Sequence, residues 1–212
     1  MATTAAPREA SPPRTPPFLV VLYRSALGKK YLMAVSGIVG LGYVFAHMLG
    51  NLKLYQSPED FNAYAAFLRR LLYPILPPSG TLNLLRAVLV LALIVHVVAA
   101  AQLTAMNRRA RPERYRSKRD YVVADFAART MRWTGVIVLL FLAYHLADLT
   151  WGWVNPAPSG STPYDKVIAS FSQAPVAALY VVANLALGAH LFHGVWSLFQ
   201  SMGWSSPRFD PV

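Results

Sequence analysis

The stretch that decides the fold runs over residues 82–106, LNLLRAVLVLALIVHVVAAAQLTAM. It contains no proline or glycine, its one full charge is Arg86, and its one histidine is His96. About 20 apolar residues, rising about 1.5 Å each, cross the roughly 30 Å hydrocarbon layer of a bilayer, so this stretch is long enough to span one. Working outward, three more stretches qualify, at 31–54, 131–153 and 175–200, separated by segments rich in Pro, Gly, Arg and Asp. The expectation is an all-α transmembrane bundle of four spans. The whole chain agrees: of 212 residues, 55% are apolar and 14% charged, the balance of an integral membrane protein and not of a disordered one.

Cysteine is absent, which excludes a disulfide framework, an iron–sulfur cluster on the chain's own thiolates, a thiolate zinc site and covalently attached haem. The net charge of +11 raises nucleic acid as a partner. Its distribution argues against that. Arg8, Arg14, Arg24, Lys29 and Lys30 precede the first span, and Arg108, Arg109, Arg111, Arg114, Arg116, Lys118, Arg119 and Arg129 lie between the second and third. In the other two connections Arg69 and Arg70 are offset by Glu59 and Asp60, and Lys166 by Asp165. Lys and Arg are retained on the cytoplasmic side, so both termini are expected there and the charge is a topology signal, with no nucleic acid partner.

Residues 1–22, with Pro7, Pro12, Pro13, Pro16 and Pro17, read as a disordered cytoplasmic tail, too poor in apolar residues for a signal peptide. Residues 23–204 form the bundle and 205–212 a second cytoplasmic tail. Ser57-Pro58-Glu59-Asp60 sets out an N-cap, a proline at the first helical position and acids in the first turn. Phe61, Tyr64, Leu68, Leu71 and Leu72 follow at helical spacing, so an interfacial amphipathic helix or an ordered loop packed on the bundle is expected on the outer side. The basic segment 107–130 suits anionic lipid or a cytoplasmic partner equally.

All five histidines, His47, His96, His145, His190 and His193, fall inside spans, where ionisable groups are rare and mark function. Counted from the cytoplasmic ends at about 1.5 Å per residue, His47 lies roughly 24 Å and His145 roughly 21 Å deep, while His96 and His190 both lie at roughly 15 Å and His193 at roughly 10 Å. Two pairs at matched depth result, an outer pair His47/His145 and an inner pair His96/His190. Facing imidazoles in an apolar bundle without thiolates are what two six-coordinate b-type haems need. Zinc would want further ligands, and a proton relay would want an acid at depth, where only Asp148 near the outer end of the third span is available. Ser36, Gly40, Tyr43 and Gly50 share the face of His47, and Ala183, Ala186, Gly194 and Ser197 that of His190, leaving room for a macrocycle or for close helix contacts. Haem propionates would find Ser36, Lys29, Lys30, Arg129 and Arg132 on the inner side, with Arg24 nearby, and Lys53 and Arg86 on the outer. Arg24, Ser25, His193 and Trp196 group near the cytoplasmic interface as a quinone site or as interfacial anchors.

These residues carry a family resemblance. Ser25-Ala26-Leu27-Gly28-Lys29-Lys30, Met33-Ala34, Gly37 and His47-Met48-Leu49-Gly50-Asn51-Leu52 resemble the first helix of the dihaem cytochrome b anchor of succinate:quinone oxidoreductases. So do Asn62-Ala63-Tyr64 with Phe67-Leu68-Arg69, and His190-Leu191-Phe192-His193-Gly194-Val195-Trp196-Ser197; the resemblance spans about 24–208 and is weaker in the second and third spans. It implies a non-catalytic electron-transfer anchor of succinate dehydrogenase (complex II) or fumarate reductase, in the respiratory chain and the tricarboxylic acid cycle. It further implies the inner (plasma) membrane, a quinone such as menaquinone, and a flavoprotein subunit with FAD and an iron–sulfur subunit docked on the cytoplasmic face, with room for a further small membrane subunit. The family's haem ligands carry over onto His47, His96, His145 and His190. His193 falls where relatives have a non-ligand polar residue, giving it a supporting, propionate or quinone role, or that of alternative inner ligand. Two departures stand out: relatives have a fifth span, not read here, and some have a membrane-embedded acid where this chain has Gly188. The alternatives are a dihaem anchor of a nitrate reductase or formate dehydrogenase, and a haem-free docking or transport protein.

Overall fold

The computed structural model of the protein describes residues 16–110 and 122–204. Seven α-helices and no strand occur among the described residues: α1 Phe18–Arg24, α2 Ala26–Asn51, α3 Pro58–Arg69, α4 Gly80–Ala110, α5 Val122–His145, α6 Pro163–Phe171 and α7 Ala174–Ser201. Four stretches are long and apolar enough to cross a bilayer, Ala26–Tyr55, Gly80–Ala110, Thr130–Thr150 and Ala174–Ser201, so the chain is a multi-pass membrane protein. Three of them hold the expected span whole, and Thr130–Thr150 holds all but the last residues of the third. Large apolar side chains such as Leu84, Leu91, Leu140, Val181 and Leu185 stand exposed along them, the surface that lipid covers.

The helices form two hairpins. α2 packs along α4 and α5 along α7, and the hairpins touch mainly where α2 meets α7 and where α3 meets α6. The buried apolar residues divide accordingly: Ala34, Ala99 and Leu103 in the first hairpin, Tyr180 and Ala183 in the second. Small residues let neighbouring helices approach closely where there is no hydrophobic drive between them in lipid.

Each hairpin is joined at one end by a short interfacial helix. The expected one is α3, where the Ser57 hydroxyl accepts the Asp60 N–H at 3.0 Å and Pro58 stands at the start. It rests on span I through Tyr64, whose ring lies so near Gly50 that a Cβ there would sit 2.8 Å from it. The helical stretch ends at Arg69, and the return to span II is closed by the Ser79 N–H on the Arg69 carbonyl (2.6 Å) and the Thr81 hydroxyl on the Leu71 carbonyl (2.6 Å). In the second hairpin Thr162-Pro163-Tyr164-Asp165 begins α6 with a full capping box. The two helices meet: the Tyr164 N–H donates to Asn62 Oδ1 at 3.1 Å, and Phe61 and Tyr164 are edge to face at 6.5 Å.

Three boundaries differ from the sequence expectation. Residues 18–22, expected within the disordered tail, belong to α1; residues 1–15 and the tail 205–212 lie outside the described residues. A corner joins α1 to α2, where Ser25 accepts the Gly28 N–H at 2.9 Å and donates to the Leu22 carbonyl at 2.6 Å, while the apolar side chains of FLVVLYR stay largely exposed. Within the basic segment α4 runs on to Ala110 and α5 starts at Val122, while 111–121 lie outside the described residues. The third span stops at Thr150, not 153. There α5 widens into a π-turn over Leu146–Thr150, in which the Trp151 N–H reaches the Leu146 carbonyl at 2.8 Å, and this unwinding ends the helix.

Candidate functional site

Four histidines from four spans meet in two pairs. His47 on α2 and His145 on α5 have ring centroids 5.9 Å apart, and His96 on α4 and His190 on α7 have theirs 6.3 Å apart. The ring planes are 84° apart in the first pair and 65° apart in the second. Each pair takes one ring from each hairpin, and the pairing is the one expected from depth. His193 stands apart, edge to face with Phe192 at 5.2 Å.

The neighbouring helix of the same hairpin sets each inner ring. His96 Nδ1 lies 3.1 Å from the Met33 carbonyl and 3.3 Å from the Ser36 hydroxyl. A carbonyl only accepts, so Nδ1 carries the proton and Nε2 the lone pair. The Ser36 proton goes to the Leu32 carbonyl at 2.7 Å, leaving its oxygen to accept from His96. His190 repeats this with Thr134, 3.3 Å from Nδ1, whose own proton goes to the Thr130 carbonyl at 2.8 Å. Glycines admit both rings: a Cβ on Gly37 would touch His96 Cε1 at 3.4 Å, and one on Gly135 would touch His190 Cε1 at 3.4 Å.

The outer pair is held differently. His47 stacks on Tyr43 at 5.4 Å. His145 lies over Phe141 at 5.9 Å, and its Nδ1 is 3.3 Å from the Tyr180 hydroxyl. That hydroxyl donates to Asp148 Oδ2 at 2.9 Å, so its oxygen is free to accept from Nδ1–H and Nε2 again holds the lone pair. Asp148 is fully buried and also accepts from Ser170 at 2.5 Å and from Asn155 at 2.7 Å. Tyr180 and Ser170 were not singled out in the sequence, since a Tyr in an apolar helix and a Ser between two spans carry no signal of their own.

A repeated pattern underlies these contacts. Met33, Ser36, Gly37, Tyr43 and His47 in α2 correspond in order and spacing to Met131, Thr134, Gly135, Phe141 and His145 in α5. The correspondence is legible once the two spans are aligned on their histidines; a Ser/Thr-Pro start of α3 and of α6 follows in the same order but at a different spacing. One helix per hairpin thus carries an outer histidine and, about three turns away, the polar step that holds the inner histidine of its neighbour.

Lys29 is buried in the α1–α2 corner, where Nζ donates to the Tyr23 carbonyl at 2.7 Å and lies 4.3 Å from the Tyr23 ring centre, so it anchors the corner. Lys30 and Arg132 are exposed, and the Arg129 side chain lies outside the described residues. Lys53 lies over the Tyr64 ring at 5.7 Å, and Arg86 donates to Asn83 at 3.1 Å. Of the four residues read as a quinone site, Ser25 caps α2, Arg24 and Trp196 are exposed and His193 half-buried; among the described residues no hydrogen bond or ring contact joins them. Gly40 has open space beside it and Gly50 is filled by Tyr64, so the small-residue face of span I serves both openness and packing.

The pairs suit a cofactor with an in-plane ligand set of its own. Among the described residues no three of His, Cys, Asp and Glu converge, so neither pair has the further protein ligands that zinc takes. Taking about 2.0 Å for a metal–imidazole bond, as in zinc sites, a metal held between two rings separates their centroids by roughly 6 Å. Both pairs have that separation, and His96, His190 and His145 hold their second nitrogen in a hydrogen bond as ligating histidines do. No protein-family model, curated protein or solved structure matches this chain.

Proposed function

We propose that the chain is the dihaem cytochrome b anchor of a succinate:quinone oxidoreductase, carrying electrons between an iron–sulfur partner at the cytoplasmic face and quinone in the membrane. The observation that carries this is the two histidine pairs, each bridging the two hairpins at a separation suited to bis-imidazole ligation. His47 and His145 would hold the outer haem b, His96 and His190 the inner one. Bound there, each haem supplies a one-electron couple whose potential follows from its axial ligands and their hydrogen bonds.

The chain's own residues do the rest. The Met33 carbonyl with Ser36, and Thr134, fix the inner rings in the tautomer that leaves Nε2 basic; Tyr180 does so for His145. Stacking on Tyr43 orients His47, and the tilted contact with Phe141 orients His145. Succinate chemistry, FAD and iron–sulfur clusters belong to partner subunits, the expectation that the family resemblance supplies for a chain with no cysteine. The proposed setting is the cell's inner membrane, with both termini cytoplasmic.

The purified chain, or the complex it assembles in, should show a reduced b-type spectrum with two haems per copy. His47→Ala and His145→Ala should each remove the same spectral component, and His96→Ala and His190→Ala the other, while His193→Ala retains both. Succinate-dependent quinone reduction by the complex identifies the partner enzyme; haem binding with electron delivery only from nitrate- or formate-linked subunits would assign the anchor to another respiratory enzyme. A haem-free assembled protein would overturn the mechanism.

A further inference from the structure

The two histidine pairs have different electrostatic backing. On the inner pair, His96 donates to the Met33 carbonyl, and His190 has the Thr134 hydroxyl against its Nδ1; both backings are neutral. On the outer pair, His145 reaches a carboxylate through one intervening phenol: Nδ1 to the Tyr180 oxygen at 3.3 Å, and the Tyr180 hydroxyl to Asp148 Oδ2 at 2.9 Å. Tyr180 has a single proton, and Asp148, with Ser170, Asn155 and Tyr180 all donating to it, has the surroundings of an acceptor. Donation therefore runs one way, from imidazole through phenol to carboxylate. The chain is built and not incidental: Asp148 and Ser170 are fully buried, Tyr180 nearly so, and the π-turn immediately after His145 contains Asp148.

We infer that Tyr180 and Asp148 are positioning residues that act through His145 to lower the reduction potential of the outer haem selectively. The inference rests on the dihaem reading. A carboxylate behind the phenol makes its oxygen a stronger acceptor, which draws the Nδ1 proton and raises the basicity of Nε2. A more basic axial nitrogen favours ferric over ferrous iron. Among the described residues no such charge stands behind the inner pair, so Asp148 sets the two haems apart, and an electron entering from the inner side meets the outer haem as the harder one to reduce.

The test is an optical redox titration of the full-length protein, with the outer component identified beforehand as the one lost in His47→Ala. Tyr180→Phe keeps the ring and its packing and removes the relay; Asp148→Asn keeps the phenol against His145 and removes the charge. Both should raise the outer component's midpoint, by about 59 mV for each tenfold loss of ferric preference, and leave the inner one in place. The low-spin electron paramagnetic resonance signal of the same haem should move with it. Where Tyr180→Phe loses the outer haem, Asp148→Asn decides by the same measurement. Two retained haems with both midpoints unmoved would overturn the relay while leaving the dihaem reading intact; absence of haem from the unsubstituted protein would overturn that reading instead.

Discussion

Asp148 is the residue on which most depends locally. It is fully buried with three donors on its two oxygens, so Asp148→Leu leaves the Ser170, Asn155 and Tyr180 protons without an acceptor. Unmet buried donors cost about 1–3 kcal/mol each, and thermal unfolding in detergent should show a loss of about 3 kcal/mol or more. Gly37 and Gly135 give a graded case. A Cβ would only touch His96 or His190, so Ala should be tolerated at either position, whereas Leu should displace the ring and remove the inner haem component from the reduced spectrum. Gly28 allows no such tolerance: a Cβ there would lie 2.0 Å from the Leu22 carbonyl oxygen, in backbone that cannot step aside. Gly28→Ala should open the α1–α2 corner at a cost of about 1–3 kcal/mol, visible as a lowered unfolding midpoint. The histidines were legible as residues because a polar ring at membrane depth is costly. Their hydrogen-bond partners were not, because the Met33 carbonyl is invisible to residue type and Ser36 reads equally as a packing residue.

Elements show the same division. The four spans follow from hydropathy, since in lipid each must satisfy its own backbone as a helix. α3 follows from the cap, proline and acids at 57–60. The same grammar at Thr162-Pro163-Tyr164-Asp165 marks α6, but its nine residues lack the long apolar stripe that made α3 evident. Thr162 both accepts from the Asp165 N–H at 3.2 Å and donates to its carboxylate at 2.7 Å, so Thr162→Ala should destabilise α6 by about 1 kcal/mol. Hydrogen exchange should quicken in the first turn of α6 while the α5 and α7 spans are unchanged. The π-turn after His145 could not be read from sequence, because its cause is tertiary: Asp148 is pulled toward Ser170 and Tyr180 on two other helices.

At the scale of the molecule, two hairpins of like construction face each other and share two pairs of rings. The α3–α6 contact places both interhelical connections on one side of the bundle. Because the chain has no cysteine, single cysteines report topology cleanly. Ser57→Cys and Ser161→Cys should be labelled by an impermeant reagent from one side of intact vesicles, and Arg108→Cys only from the other. Labelling of Ser57→Cys and Ser161→Cys from opposite sides would contradict the arrangement.

By itself the sequence determined the all-α membrane architecture, the number of spans and the position of each histidine along its span. Those quantities depend only on hydropathy, charge and the fixed rise of a helix. It also showed which histidines could pair, because depth is counted along one axis. Rotation about that axis was left to the tertiary structure, and rotation decides contact. Only the packed hairpins settle that His190 and not His193 meets His96, that Ser36 serves a histidine, and that Asp148 lies behind His145 through Tyr180. Those contacts join residues far apart in the chain, and the free energy that selects them comes from partners on other helices.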